Sequence, residues 1–328
     1  MKFLPETTKR IAIFRALQLG DMLCAVPAFR ALRAAYPDSE ITLLGLPWAE
    51  SFCTRFSEYL DHFVHFPGFP GLPEQRFDKQ HWQEFVCQMR AEPFDLILQM
   101  QGNGSVVNTM LADLQAGPVA GFHSKGSYSD KNLFIEYPVG TSEISRHLEL
   151  IEHLGINVQG YELEFPVLQI ENTTLHRKHP FLEGRSYICI HPGSRGSWRQ
   201  WPASHFALLA DYCAGLGYLV LITGTEEEAF ITGQVVELMD YPAMDLTGKT
   251  SLGEIGALIE GAKLLISNCT GVSHIAAALQ TPSIVISMDG EPERWGPLNK
   301  DLHTMIDWTK RPDFEFAELA TRDMLLKA

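Results

Sequence analysis

The chain has 328 residues, 45% of them hydrophobic and 20% charged, a composition typical of a globular protein long enough for two domains. Its 26 lysines and arginines stand against 40 aspartates and glutamates, and the formal charge of −14 argues against a nucleic-acid-binding protein. Because it has no stretch of ~18 apolar residues, no apolar secretion signal at its start and only scattered cysteines, we expect a cytoplasmic protein without disulfides or a zinc site.

In the first half, apolar runs of strand length alternate with helical patterns, which predicts a parallel sheet with crossover helices. Strands are predicted at 11–14, 41–44 and 95–100, and helices at 22–35 and 146–154. Residues 66–73 are rich in Pro and Gly and predict a surface loop. The polar, irregular stretch 159–180 is interpreted as a linker.

The second half repeats this alternation and is followed by one more predicted helix. Two doubly wound halves would place a ligand cleft at the carboxyl ends of both sheets. We expect domains at 1–165 and 180–305, and a C-terminal segment, 306–328, whose helix packs back on the first domain. The predicted strands are 187–190, 218–222, 263–266 and 283–286, and the predicted helices are 205–216, 226–239, 252–260 and 314–326.

Asp21 follows the first strand and Gly20, and it opens a helix at the sheet edge where active sites of this architecture lie. A carboxylate there suits a general base that takes a proton from a hydroxyl nucleophile. The alternative is a helix cap, which stabilises a helix by ~0.5–2 kcal/mol. Charged pairs such as Arg146-His147 suit anionic sugars, although solvent-exposed charge is the commoner explanation.

Two loops of the second half carry groups suited to a nucleotide. In the loop at 191–202, Gly193 and Ser194 allow close approach to an anion, and Arg195 and Arg199 offer planar donor forks to phosphate. Its alternative is a surface turn with a tryptophan packed in the core. In the second loop, a glutamate within 226–228 suits the hydroxyls of a ribose. The alternative is that these acidic residues stand at a helix N-terminus because the helix dipole favours them there.

The segment 266–282 predicts a buried strand, a tight Thr270-Gly271 turn and an Ala-rich helix. Such a turn directs backbone N–H groups and a helix dipole at one point, which suits a diphosphate. The alternative is an ordinary crossover in which Thr270 caps the helix. No D-x-D pair, G-x-S-x-G elbow or complete glycine fingerprint occurs, which argues against a metal–diphosphate site, a serine hydrolase and a dehydrogenase.

Four motifs, in the order in which they follow one another along the chain, resemble those of glycosyltransferase family 9, the bacterial heptosyltransferases of lipopolysaccharide core assembly. The resemblance runs from about residue 10 to about residue 300. It implies a GT-B fold, in which two Rossmann-like doubly wound domains face a central cleft. The motifs are LGDMLCAVPA at 19–28, HPGSRGSWRQWP at 191–202, TGVSHIAAAL at 270–279 and RWGP at 294–297.

The resemblance also implies the roles of individual residues. Asp21 would be the general base on the acceptor hydroxyl, which belongs to a glycan or a lipid-linked glycan. The N–H groups of 270–272 would hold the diphosphate with support from His274, Ser194 and Arg199 would contact phosphate, and a glutamate at 226–227 would bind the ribose. The implied donor-binding residues are Ser194, Arg199, Glu226, Glu227, Cys269, Thr270, Gly271, Val272 and His274.

The implied reaction is inverting transfer, without a bound metal, of heptose from ADP-heptose to a lipopolysaccharide core or related acceptor. The protein would be cytoplasmic, with at most peripheral contact at the inner face of the inner membrane. Two positions depart from the family: Cys269 replaces its acidic residue, and Arg199 replaces its lysine. The alternatives are an inactive nucleotide-sugar-binding protein, a GT-B enzyme that uses another nucleotide sugar, and an epimerase.

Overall fold

The structure is a computed structural model, and it describes residues 3–127 and 130–327. Met1 and Lys2, part of the start of the chain where no secretion signal is predicted, lie outside the described residues. The chain divides into two compact units, Met1–Glu162 and Leu163–Ala328, each built around one six-stranded sheet. Because helices connect parallel strands in both units, the predicted α/β class with two doubly wound sheets is confirmed.

The first unit contains the three strands and two helices predicted for it, together with further strands and helices that the sequence patterns did not indicate, and α1 begins earlier than expected. Residues 66–73 lie outside helices and strands, as predicted, but residues 66–68 are buried, so the prediction of a surface loop is wrong for them. The strands are β1 (Arg10–Phe14), β2 (Glu40–Gly45), β3 (His62–His65), β4 (Leu96–Gln99), β5 (Val119–His123) and β6 (Phe134–Glu136). The helices are α1 (Leu19–Ala35), α2 (Ala49–Arg55), α3 (Lys79–Ala91), α4 (Val107–Leu114) and α5 (Glu143–His153).

The second unit contains every strand and helix predicted for it, together with several that the sequence patterns did not indicate. Its strands are β7 (Tyr187–His191), β8 (Leu219–Ile222), β9 (Met244–Asp245), β10 (Leu264–Asn268), β11 (Ser283–Ser287) and β12 (His303–Asp307). Its helices are α6 (Gln169–Lys178), α7 (Ala203–Gly215), α8 (Ala229–Leu238), α9 (Leu252–Glu260), α10 (Gly271–Leu279), α11 (Pro292–Trp295) and α12 (Phe314–Lys327).

The two sheets share one topology. The strand order is β3-β2-β1-β4-β5-β6 in the first sheet and β12-β11-β10-β7-β8-β9 in the second, and the strand pairs are parallel. The order therefore reverses between β1 and β4, and between β10 and β7. In open α/β sheets, ligands bind beyond the carboxyl ends of the strands at such a switch point. The loops after β1, β7 and β10 are thus the places to look for a site.

The interpretation of 159–180 as an irregular linker is wrong for its second half, because α6 forms there. The Glu171 carboxylate accepts the N–H of Leu168 at 2.9 Å and so satisfies a donor at the start of the helix. Leu175 is buried, and α6 packs on α9 of the same unit. The sequence signal is weak because α6 buries little apolar surface, and a polar helix lacks the periodicity on which a prediction depends.

The C-terminal helix α12 forms where it is predicted. Its buried residues Ala317, Ala320 and Met324 join the core of the second unit, and α12 contacts α7 and β11 there. The predicted packing of this helix on the first domain stays a prediction.

A buried histidine links β11 and β12. The His303 Nδ1 lies 2.8 Å from the Ser283 hydroxyl oxygen, and both side chains are buried. Burial, helped by the charge of Lys300, lowers the pKa of His303 from 6.5 to about 4. Between these values the unfolded chain binds a proton that the folded protein does not. The free energy of unfolding should therefore fall as the pH drops from 6.5 to 4.

We expect His303→Gln to remove this pH dependence. Between pH ~7.5 and pH ~5, the wild-type protein should lose about 2 kcal/mol more unfolding free energy than the variant, because each pH unit below the unfolded pKa contributes ~1.4 kcal/mol. Urea denaturation at the two pH values measures the difference, and the exposed His153→Gln serves as the control. Equal losses in wild type and His303→Gln would contradict the prediction.

Candidate functional site

The predicted donor-binding residues share one edge of the second sheet. They lie on the loops that follow β7, β8 and β10, three neighbouring parallel strands whose carboxyl ends meet there. The β7 and β10 loops border the switch point of the sheet, where this topology binds its ligands. The structure therefore brings the predicted nucleotide residues together within the second unit. Asp21, the predicted base, lies in the first unit.

Asn268, at the end of β10, fastens both ends of the loop that follows β7. Its Oδ1 accepts the Trp201 N–H at 2.9 Å, and its Nδ2 donates to the carbonyls of Pro192 at 2.7 Å and Gly193 at 3.2 Å. Asn268 and Trp201 are fully buried. Both ends of this loop are therefore held in place, whereas Arg195, Ser197 and Trp198 in its middle are exposed. Trp201 packs in the core, as the alternative expects. The sequence analysis did not identify Asn268 as the residue that holds the loop.

Gly193 makes room for an acidic side chain. A Cβ atom at this position would lie 2.1 Å from the Glu228 carboxyl carbon, so a larger residue would displace that group. The Glu228 Oε2 accepts the Thr225 N–H at 2.8 Å and lies 3.6 Å from the His191 Nε2. Burial lowers the pKa of His191, and the Glu228 carboxylate opposes that effect. Glu228 is thus the glutamate packed against the β7 loop.

Glu226 and Glu227, the predicted ribose ligands, are both exposed. The Glu227 carboxyl accepts hydrogen bonds from the Glu227 N–H and from the Thr225 hydroxyl, and these lower its pKa. Their contact with a ribose stays a prediction. Sequence reasoning kept Glu228 among the three candidate glutamates at 226–228 without singling it out, although the spacing of Thr225 and Glu228 is that of a capping box and indicates a carboxylate that turns back on the loop.

The turn after β10 leaves the start of α10 open. Thr270 is the N-cap residue of α10, as the alternative expects, but its side chain forms no capping hydrogen bond. The Ser273 N–H and hydroxyl instead both donate to the Thr270 carbonyl, at 3.0 and 2.7 Å. Helix geometry leaves the N–H groups of Gly271 and Val272 without partners in the helix. They are donors of the kind that bind phosphate.

A charged corner adjoins this turn. The Arg199 Nη2 donates to the Asp289 Oδ2 at 2.6 Å, and the guanidinium lies 5.6 Å from the Trp198 ring centre. Burial raises the pKa of the neighbouring Cys269 thiol to about 12; the carboxylates of Asp289 and Glu291 act in the same direction, and Arg199 opposes them. Cys269 therefore contributes a neutral thiol at neutral pH.

Two further predicted residues are buried at this edge. Ser194 is 5% exposed, and among the described residues its hydroxyl oxygen has no hydrogen-bond partner. A buried hydroxyl in that state is an unused group that a ligand can satisfy. His274 is 4% exposed, and its ring centre lies 6.3 Å from that of Trp295. The predicted supporting role of His274 stays a prediction.

In the first unit, Asp21 lies in the first turn of α1 and is partly exposed. Gln18 is the N-cap residue of α1, so the alternative that Asp21 is the helix cap is wrong. The fully buried Arg15 donates to the Asp21 backbone carbonyl from Nε at 3.0 Å and from Nη2 at 2.7 Å. A further hydrogen bond of this guanidinium, from Nη1 to the Met100 carbonyl, ties α1 to the end of β4.

Behind Arg15 lies a buried ionic cluster. The Glu143 Oε1 is 3.4 Å from the Arg15 Nη2 and 3.3 Å from the His147 Nε2, and the other carboxylate oxygen pairs with Arg146. Arg146 also stacks 4.3 Å from the Tyr137 ring centre. Burial raises the pKa of Glu143, but His147, Arg15 and Arg146 outweigh it and hold the pKa well below its usual range. The expectation that Arg146 and His147 are solvent-exposed is therefore wrong.

Across the described part of the chain, no group of three or more His, Cys, Asp or Glu side chains is arranged to hold a metal ion. Within residues 3–127 and 130–327, no helix combines the length and the apolar character that a membrane crossing requires.

Known proteins are similar to the chain over nearly its full length. The family model for glycosyltransferase family 9 (heptosyltransferase) matches residues 82–321. Lipopolysaccharide heptosyltransferase 3 of Escherichia coli is 23% identical over 314 residues, which are 93% of this chain and 89% of that protein.

Two solved structures share the fold. A family 9 glycosyltransferase from Veillonella parvula has a TM-score of 0.78 at 20% identity and covers 98% of both chains. The Escherichia coli ADP-heptose lipopolysaccharide heptosyltransferase II has a TM-score of 0.75 at 18% identity, over 97% of this chain and 99% of that one. These similarities confirm the predicted GT-B fold class.

Proposed function

This chain belongs to glycosyltransferase family 9, and we propose that it is an inverting, metal-independent enzyme that transfers heptose from ADP-heptose. The acceptor is a hydroxyl of the lipopolysaccharide core or of a related glycan. The proteins that are similar to this chain over most of its length support this proposal, since they include a lipopolysaccharide heptosyltransferase and an ADP-heptose lipopolysaccharide heptosyltransferase. The observation that carries it is the uncapped start of α10 at the switch point of the second sheet.

In this proposal the second unit binds the donor. The N–H groups of Thr270, Gly271 and Val272 hold the diphosphate, and Arg199 and the buried Ser194 hydroxyl supply further donors to phosphate oxygens. These groups stand in place before the reaction, so they stabilise the charge of the departing ADP without reorganisation. The glutamates at 226 and 227 hold the ribose, and Cys269 and His274 line the same pocket.

The first unit supplies the base. The Asp21 carboxylate takes the proton of the acceptor hydroxyl as its oxygen forms a bond to the anomeric carbon. The bond from that carbon to the diphosphate breaks at the same time, and ADP leaves with the bonding electrons. Attack from the face opposite the leaving group inverts the configuration, as one base and one displacement require.

Cys269 favours a second candidate, a protein of the same fold that binds a nucleotide sugar without transferring it. A neutral thiol stands where the family carries an acid, so the contact to the donor sugar differs. ADP-heptose binding without product on a panel of core acceptors would select this candidate. Product formed from the nucleotide sugar alone would instead select an epimerase, and preference for another nucleotide sugar would select a different donor.

A thermal-shift panel tests the donor assignment. ADP, UDP, GDP and their sugars are compared on the full chain, each at rising concentration. A ligand at ~100 times its dissociation constant should add roughly 2.7 kcal/mol of stability. We expect ADP and ADP-heptose to stabilise the protein most. A panel in which no adenine nucleotide stabilises the protein, or in which a uridine or guanosine nucleotide is preferred, would overturn the ADP-heptose assignment.

A further inference from the structure

The Arg199–Asp289 ion pair joins two loops of the candidate donor site. Arg199 ends a short 3₁₀ turn on the β7 loop, whereas Asp289 follows β11 at the same sheet edge. The Nη2–Oδ2 distance is 2.6 Å, and the side chains are 27% and 9% exposed. The pair is thus largely shielded from solvent, and it lies where charge interactions are stronger than on an open surface.

Asp289 is itself held by the sheet. Its Oδ1 accepts the Ser287 hydroxyl at 2.9 Å, and Ser287 is the last residue of β11. The Glu291 N–H approaches the same oxygen at 3.3 Å. One carboxylate oxygen therefore anchors Asp289 to β11, and the other is directed at Arg199. The position of the guanidinium is consequently determined from a rigid strand rather than from its own loop.

The guanidinium keeps most of its donors free of Asp289. Arginine carries five N–H donors in a planar fork, and the contact with Asp289 runs through Nη2 alone. The charge of the same guanidinium lowers the pKa of Cys269, the residue directly before the Thr270-Gly271 turn, against the larger effect of burial. A long side chain that is ordered before a ligand arrives loses less entropy on binding than a mobile one.

We propose that Asp289 is a positioning residue for the donor: it holds the Arg199 fork so that the remaining N–H groups face the diphosphate at the start of α10. This inference rests on the proposed donor site. Cys269 brings no charge to this corner, whereas Asp289 places a carboxylate directly on the Arg199 guanidinium. In this chain the orientation of Arg199 depends on a residue after β11, outside the turn that binds phosphate.

Titration calorimetry with ADP on the full chain tests the proposal. Asp289→Asn keeps the side-chain size but removes the charge, and we expect it to weaken ADP binding about tenfold, since a charge-assisted hydrogen bond becomes a neutral one. In an Arg199→Ala background the same substitution should cause no further weakening. Asp289→Glu, which keeps the charge but shifts it, should give a smaller loss in the wild-type background.

Asp307→Asn is the matched control. Asp307 ends the neighbouring strand β12 and pairs with Lys310 at 3.3 Å, and its substitution should leave ADP affinity unchanged. Unchanged or tighter ADP binding by Asp289→Asn overturns the proposal, as does an equal loss with and without Arg199. Should Asp289→Asn fail to fold, full affinity of the folded Asp289→Glu would overturn it. Failure of the wild-type protein to bind ADP would instead refute the proposed function.

Discussion

Asp21→Asn is expected to lower the rate of sugar transfer ~10²–10⁴-fold, the range that a general base typically contributes. The amide has the size of the carboxylate but cannot take the proton of the acceptor hydroxyl. ADP affinity should stay unchanged, because the candidate donor site lies in the second unit. The measurement is ADP release from saturating ADP-heptose in the presence of a truncated lipopolysaccharide core.

The Arg15 contact makes this substitution a clean one. Arg15 binds the backbone carbonyl of residue 21, a group that Asp21→Asn leaves unchanged, so this anchor of α1 is kept in the variant. Asp38→Asn, an exposed aspartate of the same unit, is the matched control and should retain full activity. Near-wild-type turnover by Asp21→Asn at saturating donor would show that another group takes the proton.

Asn268→Ala should produce the second large effect, a loss of roughly 2–4 kcal/mol in unfolding free energy. The substitution removes three hydrogen bonds and leaves the Trp201 N–H and the carbonyls of Pro192 and Gly193 without this partner in a buried setting. The β7 loop should then lose its fixed position. We therefore also expect ADP binding to weaken well beyond tenfold, because Ser194 and Arg199 lie on this loop and would lose their fixed positions.

Denaturant unfolding and ADP titration on the same preparation check both parts of this prediction. Asn299→Ala is the control, since Asn299 is exposed and its side chain accepts a local N–H, that of Asp301, at 3.1 Å. It should change the free energy of unfolding by less than about 1 kcal/mol. A variant at 268 that keeps wild-type stability would mean that water replaces the amide.

The sequence predicted part of each sheet and the loops of the candidate site, because those segments carry strong local signals. Buried apolar runs define β7, β8, β10 and β11, and glycine or Thr-Gly turns mark where each ends. The short strands were missed for a physical reason. β3, with its exposed ends His62 and His65, and the three-residue β6 have too few apolar residues for a pattern to stand out.

The ionic cluster was beyond prediction because its members meet only in the folded chain. Arg15 and Glu143 are 128 positions apart, and neither residue type is ordinarily buried unless it is paired. The choice among three adjacent glutamates was equally hidden. Which of them turns inward depends on the cap at Thr225 and on the space that Gly193 leaves. The spacing of Thr225 and Glu228 could be recognised in the sequence, whereas the space beside Gly193 exists only in the folded chain.

The hydrogen bonds from Arg15 to the backbone carbonyl of residue 21 have an evolutionary consequence. Every amino acid offers that oxygen, so the anchor tolerates any replacement at position 21 that α1 accepts. In the proposed mechanism, placement and chemistry are therefore encoded in different residues: Arg15 holds the backbone at position 21, and the side chain at that position supplies the base. A lineage, or a designer, can exchange the chemistry at this point without rebuilding its support.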